Sequence, residues 1–399
     1  MPIVIARVSK SRRAAWLVAL VGLCAGTASG AGDAGIVKLD VALVPDANLV
    51  LRVDSGAARQ APFYQALRKQ DSTRDDGAGR SEEADVLSDF GLAQDDIGRV
   101  LLSADLSKLE GGASPALFSR DVEGVAAVEL DKSVSLADVG RALRRRAREQ
   151  GDDVRIERTR YKAVPVLVAQ SVARNHPRRR GEPGVRIAVA TRNGGKLLLF
   201  GTEVGLEGAL DRALTGGDAA PRKGTMARLL GRVEKDPQLL VAFVLTPSMR
   251  EALRSAATGK RAGQGEEKPA NPAVRTIAQA GSRMAGCRVS AEFAEDVRLA
   301  LHLVFEDEQT AAEVKGVIAA VRAELAPAST ENQRAIPASE IDAGEARLTQ
   351  NGRDLFWETR LTPEEFSRLT RAARVHVLRL WLASMQRSME RHGSRNDTP

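Results

Sequence analysis

Two stretches of this chain carry the same succession of structural signals. "TRNGGKLLLFGTEVGLEGALDRA" begins at Thr191 and "TQNGRDLFWETRLTPEEFSRLTRA" at Thr349. In each, an Asn-Gly pair (Asn193-Gly194 and Asn351-Gly352) separates two extended runs, the strongest short signal for a tight hairpin. In each, the second run leads into a helical pattern. Hairpins followed by helices restrict a chain to an antiparallel sheet carrying helices, an α+β layer architecture.

The likeness continues upstream. "AAVELDKSVSLADVGRAL" (from Ala126) resembles "LHLVFEDEQTAAEVKGVI" (from Leu301). Each reads as a strand ending in acids, a polar turn and a helix. Leu136, Val139 and Leu143 recur at helical spacing, as do Ala311, Val314 and Ile318. "SADL" at Ser103 holds the same relative place as "SAEF" at Ser290, and "NLVLRVD" (Asn48) the same as "LLVAFVLT" (Leu239). Polar, glycine-rich inserts follow at Asp71 and Gly259. The expectation is two similar halves, each an antiparallel sheet of hairpins with helices packed on one face. Their bounds are 31–222 and 223–390, followed by a polar tail, 391–399. Extra strand material in "VRIERTRYKAVPVLVAQ" (from Val154) makes the first half longer.

The glycines of the first stretch raise the question of a phosphate loop. Strand, glycines and helix succeed one another at Gly201, Gly205 and Gly208. There is no Gly-Lys-Ser/Thr and no G-x-G-x-x-G, however, and Glu203 and Glu207 would repel an anion. The second stretch makes the same junction with "TPEE", Thr362 capping and Pro363 opening the helix. The glycines therefore read as a strand-to-helix connection. On that reading Gly205 and Gly208 should tolerate alanine wherever there is room for a methyl, and Gly201 should need a positive φ.

The amino-terminal residues read as a secretory signal, 1–30. Arg7, Lys10, Arg12 and Arg13 precede the apolar run "AAWLVALVGLCAG" of 13 residues, and "ASGA" offers small residues for cleavage near Gly30. The run is shorter than the roughly 20 residues that a spanning helix needs, so no membrane span is expected after cleavage. Subtracting those four basic residues from the formal net charge of +7 leaves about +3, too little to imply nucleic acid by itself. Aromatic residues are 4% of the chain and provide no stacking platform, which also argues against nucleic acid. Of the two cysteines, only Cys287 lies beyond the signal, so no internal disulfide is expected; it reads as a buried, inert thiol.

No constellation for chemistry stands out. The four histidines, His176, His302, His376 and His392, have no metal-ligand spacing, and neither HExxH, CxxC nor Gly-x-Ser-x-Gly occurs. His302 reads as structural. The acids of "ELD" (from Glu129) and "FEDE" (from Phe305) read as helix caps at strand ends. No catalytic residue, metal ligand or cofactor is expected. The basic stretch "RNHPRRRGEP" offers a polyanion contact through Arg174, Arg178, Arg179 and Arg180, and "RALRRRAREQ" (from Arg141) adds a basic helix face. "VHVLRLWLASM" (from Val375) is apolar on more than one face and reads as buried or as a docking surface. The expected role is an exported, periplasmic or extracellular, non-enzymatic binding or scaffolding protein of a bacterial-type cell envelope. Its partner would be an unknown envelope component or protein. A carrier of a lipid or other hydrophobe, and a hydrolase with an unrecognised site, are the alternatives.

Overall fold

The computed structural model describes residues 39–66, 92–107, 122–149, 153–172, 186–215, 224–231, 237–258, 279–325 and 346–366. The expected signal, the tail, the arginines at 174–180 and the apolar stretch from Val375 lie outside the described residues. The strands are β1 (Leu49–Asp54), β2 (Ile97–Asp105), β3 (Glu123–Leu130), β4 (Asp153–Tyr161), β5 (Val164–Val172) and β6 (Arg186–Arg192). After them come β7 (Leu197–Gly201), β8 (Leu239–Val244), β9 (Met284–Phe293), β10 (Val297–Phe305), β11 (Arg347–Asn351) and β12 (Asp354–Leu361). The helices are α1 (Ser55–Gln60), α2 (Leu136–Glu149), α3 (Glu203–Thr215), α4 (Gly224–Gly231), α5 (Pro247–Thr258) and α6 (Glu308–Leu325).

All the strands join one antiparallel sheet, in the order β11-β12-β10-β9-β8-β1-β2-β3-β7-β6-β5-β4. The two stretches meet at the pair β1–β8, with Leu51 opposite Val241. A first arm runs outward from β1 to β4 and a second from β8 to β11. Both of the stretches expected as halves thus contribute to a single sheet.

Helices cover both faces, which corrects the expectation of helices on one face. In the first arm, Val125, Ala127, Leu197 and Leu199 face α3 through Leu206, Ala209 and Leu210. Their neighbours Ala126, Val128, Leu198 and Phe200 face α2 through Val139. The reason is visible in the strands themselves. "GVAAV" in β3 and "LLLF" in β7 are continuous apolar runs, the pattern of strands buried on both sides, not the alternation of a half-solvated sheet. Each fully buried Leu or Phe contributes about 1.5–3 kcal/mol, so leaving either face bare would forfeit much of the core. In the second arm, Met226 and Leu229 of α4 lie on the α3 side, whereas Ala311 of α6 packs with Phe305 and Leu355 on the α2 side.

The two Asn-Gly hairpins differ in length. Asn351 pairs with Asp354 across a two-residue turn, with Gly352 at φ +57°. Arg192 instead pairs with Leu197, and the connection Asn193–Lys196 takes positive φ at Asn193, Gly194 and Gly195. The longer connection docks on the segment before α2. Val134 N donates to Gly195 O at 3.0 Å, and a Cβ at Gly195 would lie 2.7 Å from Val134 O.

Candidate functional site

The glycine-rich junction is filled by backbone. Gly201 ends β7 opposite Val125, and a Cβ there would stand 2.3 Å from Gly124 O. At Gly205, in the first turn of α3, it would stand 2.5 Å from the same oxygen. Gly201 is not at positive φ, so its requirement is closeness, not handedness. At Gly205 the condition for tolerating alanine is not met: the backbone is helical, but Gly124 occupies the room. Thr202 binds the junction together. Its N donates to Gly124 O at 2.9 Å, and its Oγ1 accepts Gly205 N at 3.1 Å and Gly124 N at 3.3 Å. The amides of Thr202 and Gly205 are thus engaged within the chain, and Glu203, whose carboxylate would repel an anion, pairs with Arg186 at 2.8 Å.

His302 is completely buried in β10, and its Nε2–H donates to Asp354 Oδ1 at 2.7 Å. Arg228 of α4 stands 3.7 Å from the second oxygen of Asp354, and the Phe356 ring stacks on the imidazole at 4.3 Å between centroids. The cluster pins β10, β12 and α4 to one another. A His–carboxylate pair can serve as a base for a nucleophile, but Cys287 is not available to it. Cys287 pairs with Leu303, and Arg288 pairs with His302, so thiol and imidazole lie on opposite faces of the sheet. Burial pushes the Cys287 thiol up from its ordinary value, which suppresses the reactive thiolate. Arg288 is buried beside His302 on the α4 side and donates to Leu229 O at 2.8 Å.

The acids at strand ends divide between capping and pairing. Asp307 Oδ1 accepts Thr310 N at 2.7 Å and so caps α6. In "ELD" the carboxylate of Glu129 instead makes a two-pronged pair with Arg99 on β2, at 2.7 and 2.9 Å, and the helix is capped by Ser135 and Asp138. Among the described residues no three His, Cys, Asp or Glu side chains gather closely enough to hold a metal ion, and no helix is long and apolar enough to cross a membrane. An open surface hollow of about 490 Å³ is lined by Pro247, Ser248, Arg250, Glu251, Arg254 and Glu306. Its charges close on themselves, Arg250 with Glu306 and Arg254 with Glu251.

The remaining concentration of charge is basic. α2 buries Val139, Gly140 and Ala142 against β4, β5 and β6 and exposes Arg141, Arg144, Arg145 and Arg148. Beside it, the outermost strand β4 exposes Arg158 and Arg160, opposite Leu167 and Pro165. Gly140 lies against Leu167, so those two arginines share the α2 face of the sheet. The helix face was legible as "RALRRRAREQ"; its junction with β4 needed the strand register.

No protein-family model matches the chain, and no curated protein matches it. The solved structures to which the chain is loosely similar include crystal forms I and IV of TP0453. These two share 9% and 10% identity with this chain, cover 84% of it and 98% and 97% of their own chains, and give a TM-score of 0.36 each. A likeness this loose carries no function across.

Proposed function

We propose that the protein is an exported, non-enzymatic binding or scaffolding component of a bacterial-type cell envelope. The observation that carries this reading is how the chemistry-bearing side chains are used. His302, Cys287, Glu129, Glu306 and Asp307 are held in packing, pairing or capping contacts that tie the sheet and its helices together. The basic n-region and the apolar run after it support export. Arg174, Arg178, Arg179 and Arg180, between β5 and β6, are proposed as a polyanion contact. The test is cell fractionation with amino-terminal sequencing, followed by crosslinking and mass spectrometry in native envelope. A species in the envelope fraction that starts near Ala31 and crosslinks reproducibly to one envelope component is expected. Residence in the cytosol with Met1 retained overturns the proposal.

We further propose that the two arms descend from one duplicated unit. Support comes from the registers: Ser103 of "SADL" is opposite Val50, and Ser290 of "SAEF" is opposite Leu240. Leu102 is opposite Ala126, just as Val289 is opposite Leu301. β1-β2-β3-β7-β6 and β8-β9-β10-β12-β11 follow the same path outward from the seam, with the hairpin β4–β5 as an addition at the edge of the first arm. Superposition of these strand sets should bring α2 onto α6; helices on opposite faces would overturn the duplication.

A further inference from the structure

The arginines of α2 and β4 exceed what local structure requires. A basic last turn complements the helix dipole, which accounts for Arg146 and Arg148. It does not account for Arg141 and Arg144 further back, or for Arg158 and Arg160 on a strand. Three acids of these two elements are already engaged. Asp138 is held by Ser135 and Arg141, Glu149 by Arg146 at 3.4 Å, and Glu157 by Arg155 at 3.0 Å. Arg144, Arg148, Arg158 and Arg160 are exposed and make no ion pair among the described residues. Four like charges on one surface repel one another, a cost that a bound polyanion would relieve.

The arrangement is elongated. Arg141, Arg144 or Arg145, and Arg148 recur at helical spacing, a stripe about 10 Å long. β4 begins just past the end of α2, so strand and helix run side by side. The chain also leaves Val172 and returns at Arg186 near this end, since Val172 is opposite Asp153. The surface lacks what a lipid-inserting face needs. The large apolar side chains that are exposed among the described residues, Val204, Leu214 and Val289, lie on α3 and β9. The aromatic residue of β4, Tyr161, is on the opposite face, packed against the α3-side core with its hydroxyl donating to Asp211 at 3.0 Å, so it offers this surface no ring for base stacking.

We infer that the α2–β4 surface docks a linear phosphate-bearing polymer, with Arg144, Arg148, Arg158 and Arg160 as its main contacts. The planar guanidinium matches two phosphate oxygens at once, and a linear polymer can engage successive arginines along the stripe. The inference rests on the polyanion-binding reading above and assigns the contact to described residues.

The experiment is a titration of the full chain with inorganic polyphosphate across a range of salt concentrations. Three proteins are compared: wild type, R144Q/R148Q/R158Q/R160Q, and R174Q/R178Q/R179Q/R180Q. Wild type should bind with a steep salt dependence. The α2–β4 variant, with an unchanged unfolding midpoint, should bind about 100-fold more weakly at low salt, with a slope shallower by roughly three. Full binding by that variant, with loss confined to the 174–180 variant, overturns the α2–β4 assignment while leaving the polyanion reading standing. No binding by wild type overturns both. Binding to anionic phospholipid vesicles without binding to polyphosphate overturns the inference in favour of a membrane. Tighter binding to single-stranded nucleic acid than to polyphosphate of equal charge overturns it in favour of base recognition.

Discussion

The junctions at the ends of β7 and β12 solve one problem by opposite means. Both put a threonine at the helix start, and both use its hydroxyl to accept the amide three residues on: Gly205 N to Thr202 Oγ1 at 3.1 Å, and Glu365 N to Thr362 Oγ1 at 3.3 Å. They differ in what satisfies the threonine's own amide. Thr362 N is met by the Glu365 carboxylate at 2.8 Å, a complete capping box. Thr202 N is met by Gly124 O, a carbonyl of the neighbouring strand, at 2.9 Å. The first arm thus replaces a side chain with tertiary contact, and that requires glycine wherever the chains touch. A local cap costs little to lose. A contact between backbones cannot move aside.

The largest expected effect follows from that difference. Gly201→Ala should destabilise by about 3 kcal/mol, because its methyl would meet backbone on both β3 residues beside it. Gly205→Ala should cost about 2–3 kcal/mol for the same reason. Gly208→Ala is the control. Its methyl would meet only the side chains of Arg212 and Glu123, at 3.3 and 3.7 Å, and stability should stay within about 1 kcal/mol of wild type. Urea unfolding midpoints measure all three. A Gly205→Ala protein as stable as wild type would mean that α3 does not press on Gly124, and the contrast between the junctions would fail.

Next in size are the caps. Thr202→Ala removes a buried hydroxyl that engages both Gly205 N and Gly124 N, and about 2 kcal/mol should be lost. Thr362→Ala, at an exposed cap, should lose about 1 kcal/mol, and Glu365→Ala somewhat less. Equal losses at Thr202 and Thr362 in the same unfolding assay would show that the strand contact adds nothing to the cap.

How far the sequence discloses this depends on whether a feature is local. The Asn-Gly turns, the Thr-Pro helix start and the extra strands from Val154 declare themselves through neighbours in the chain. The close approach at Gly124 does not, because its partners come from β3, β7 and α3. Covering of both sheet faces was legible in principle. "GVAAV" and "LLLF" do not alternate, whereas the alternation of "VRLALHLVF" in β10 invited a one-sided sheet. The seam between β1 and β8 had no signal at all: both strands are apolar, and nothing in either specifies the other. The comparison of arms sharpens at the row that crosses this seam. Leu102 is buried in the α2-side core, whereas Val289, at the corresponding place in the second arm, is 40% exposed. Among surface residues, the arginine stripe of α2 was readable and its extension onto β4 was not, since Arg158 and Arg160 take their face from the pairing with β5.

The smallest expected effect concerns the helices that follow β3 and β10. Their caps use the same two groups in reverse order. Before α2, Ser135 Oγ accepts Asp138 N at 3.1 Å while the Asp138 carboxylate accepts Ser135 N at 3.3 Å. Before α6, the acid comes first: Asp307 accepts both the amide and the hydroxyl of Thr310. Both carboxyls are held below the usual carboxylate range. For Asp138 the hydroxyl of Ser135 is the main cause, and for Asp307 the backbone amide of Thr310. A carboxyl whose pKa is lowered by folding stabilises fully above its unfolded value, near 3.9, and the contribution disappears as pH falls through the folded value. Stability should therefore be flat from neutral pH to about 5 on account of these groups and decline below about 4. Asp307→Asn and Asp138→Asn should each reduce the slope of unfolding midpoint against pH in that acid window and leave it unchanged near neutrality. If the two reductions are similar, order within the box does not matter. If Asp307→Asn alone flattens the curve, the backbone amide is the donor that counts, and the two caps are alike only in composition.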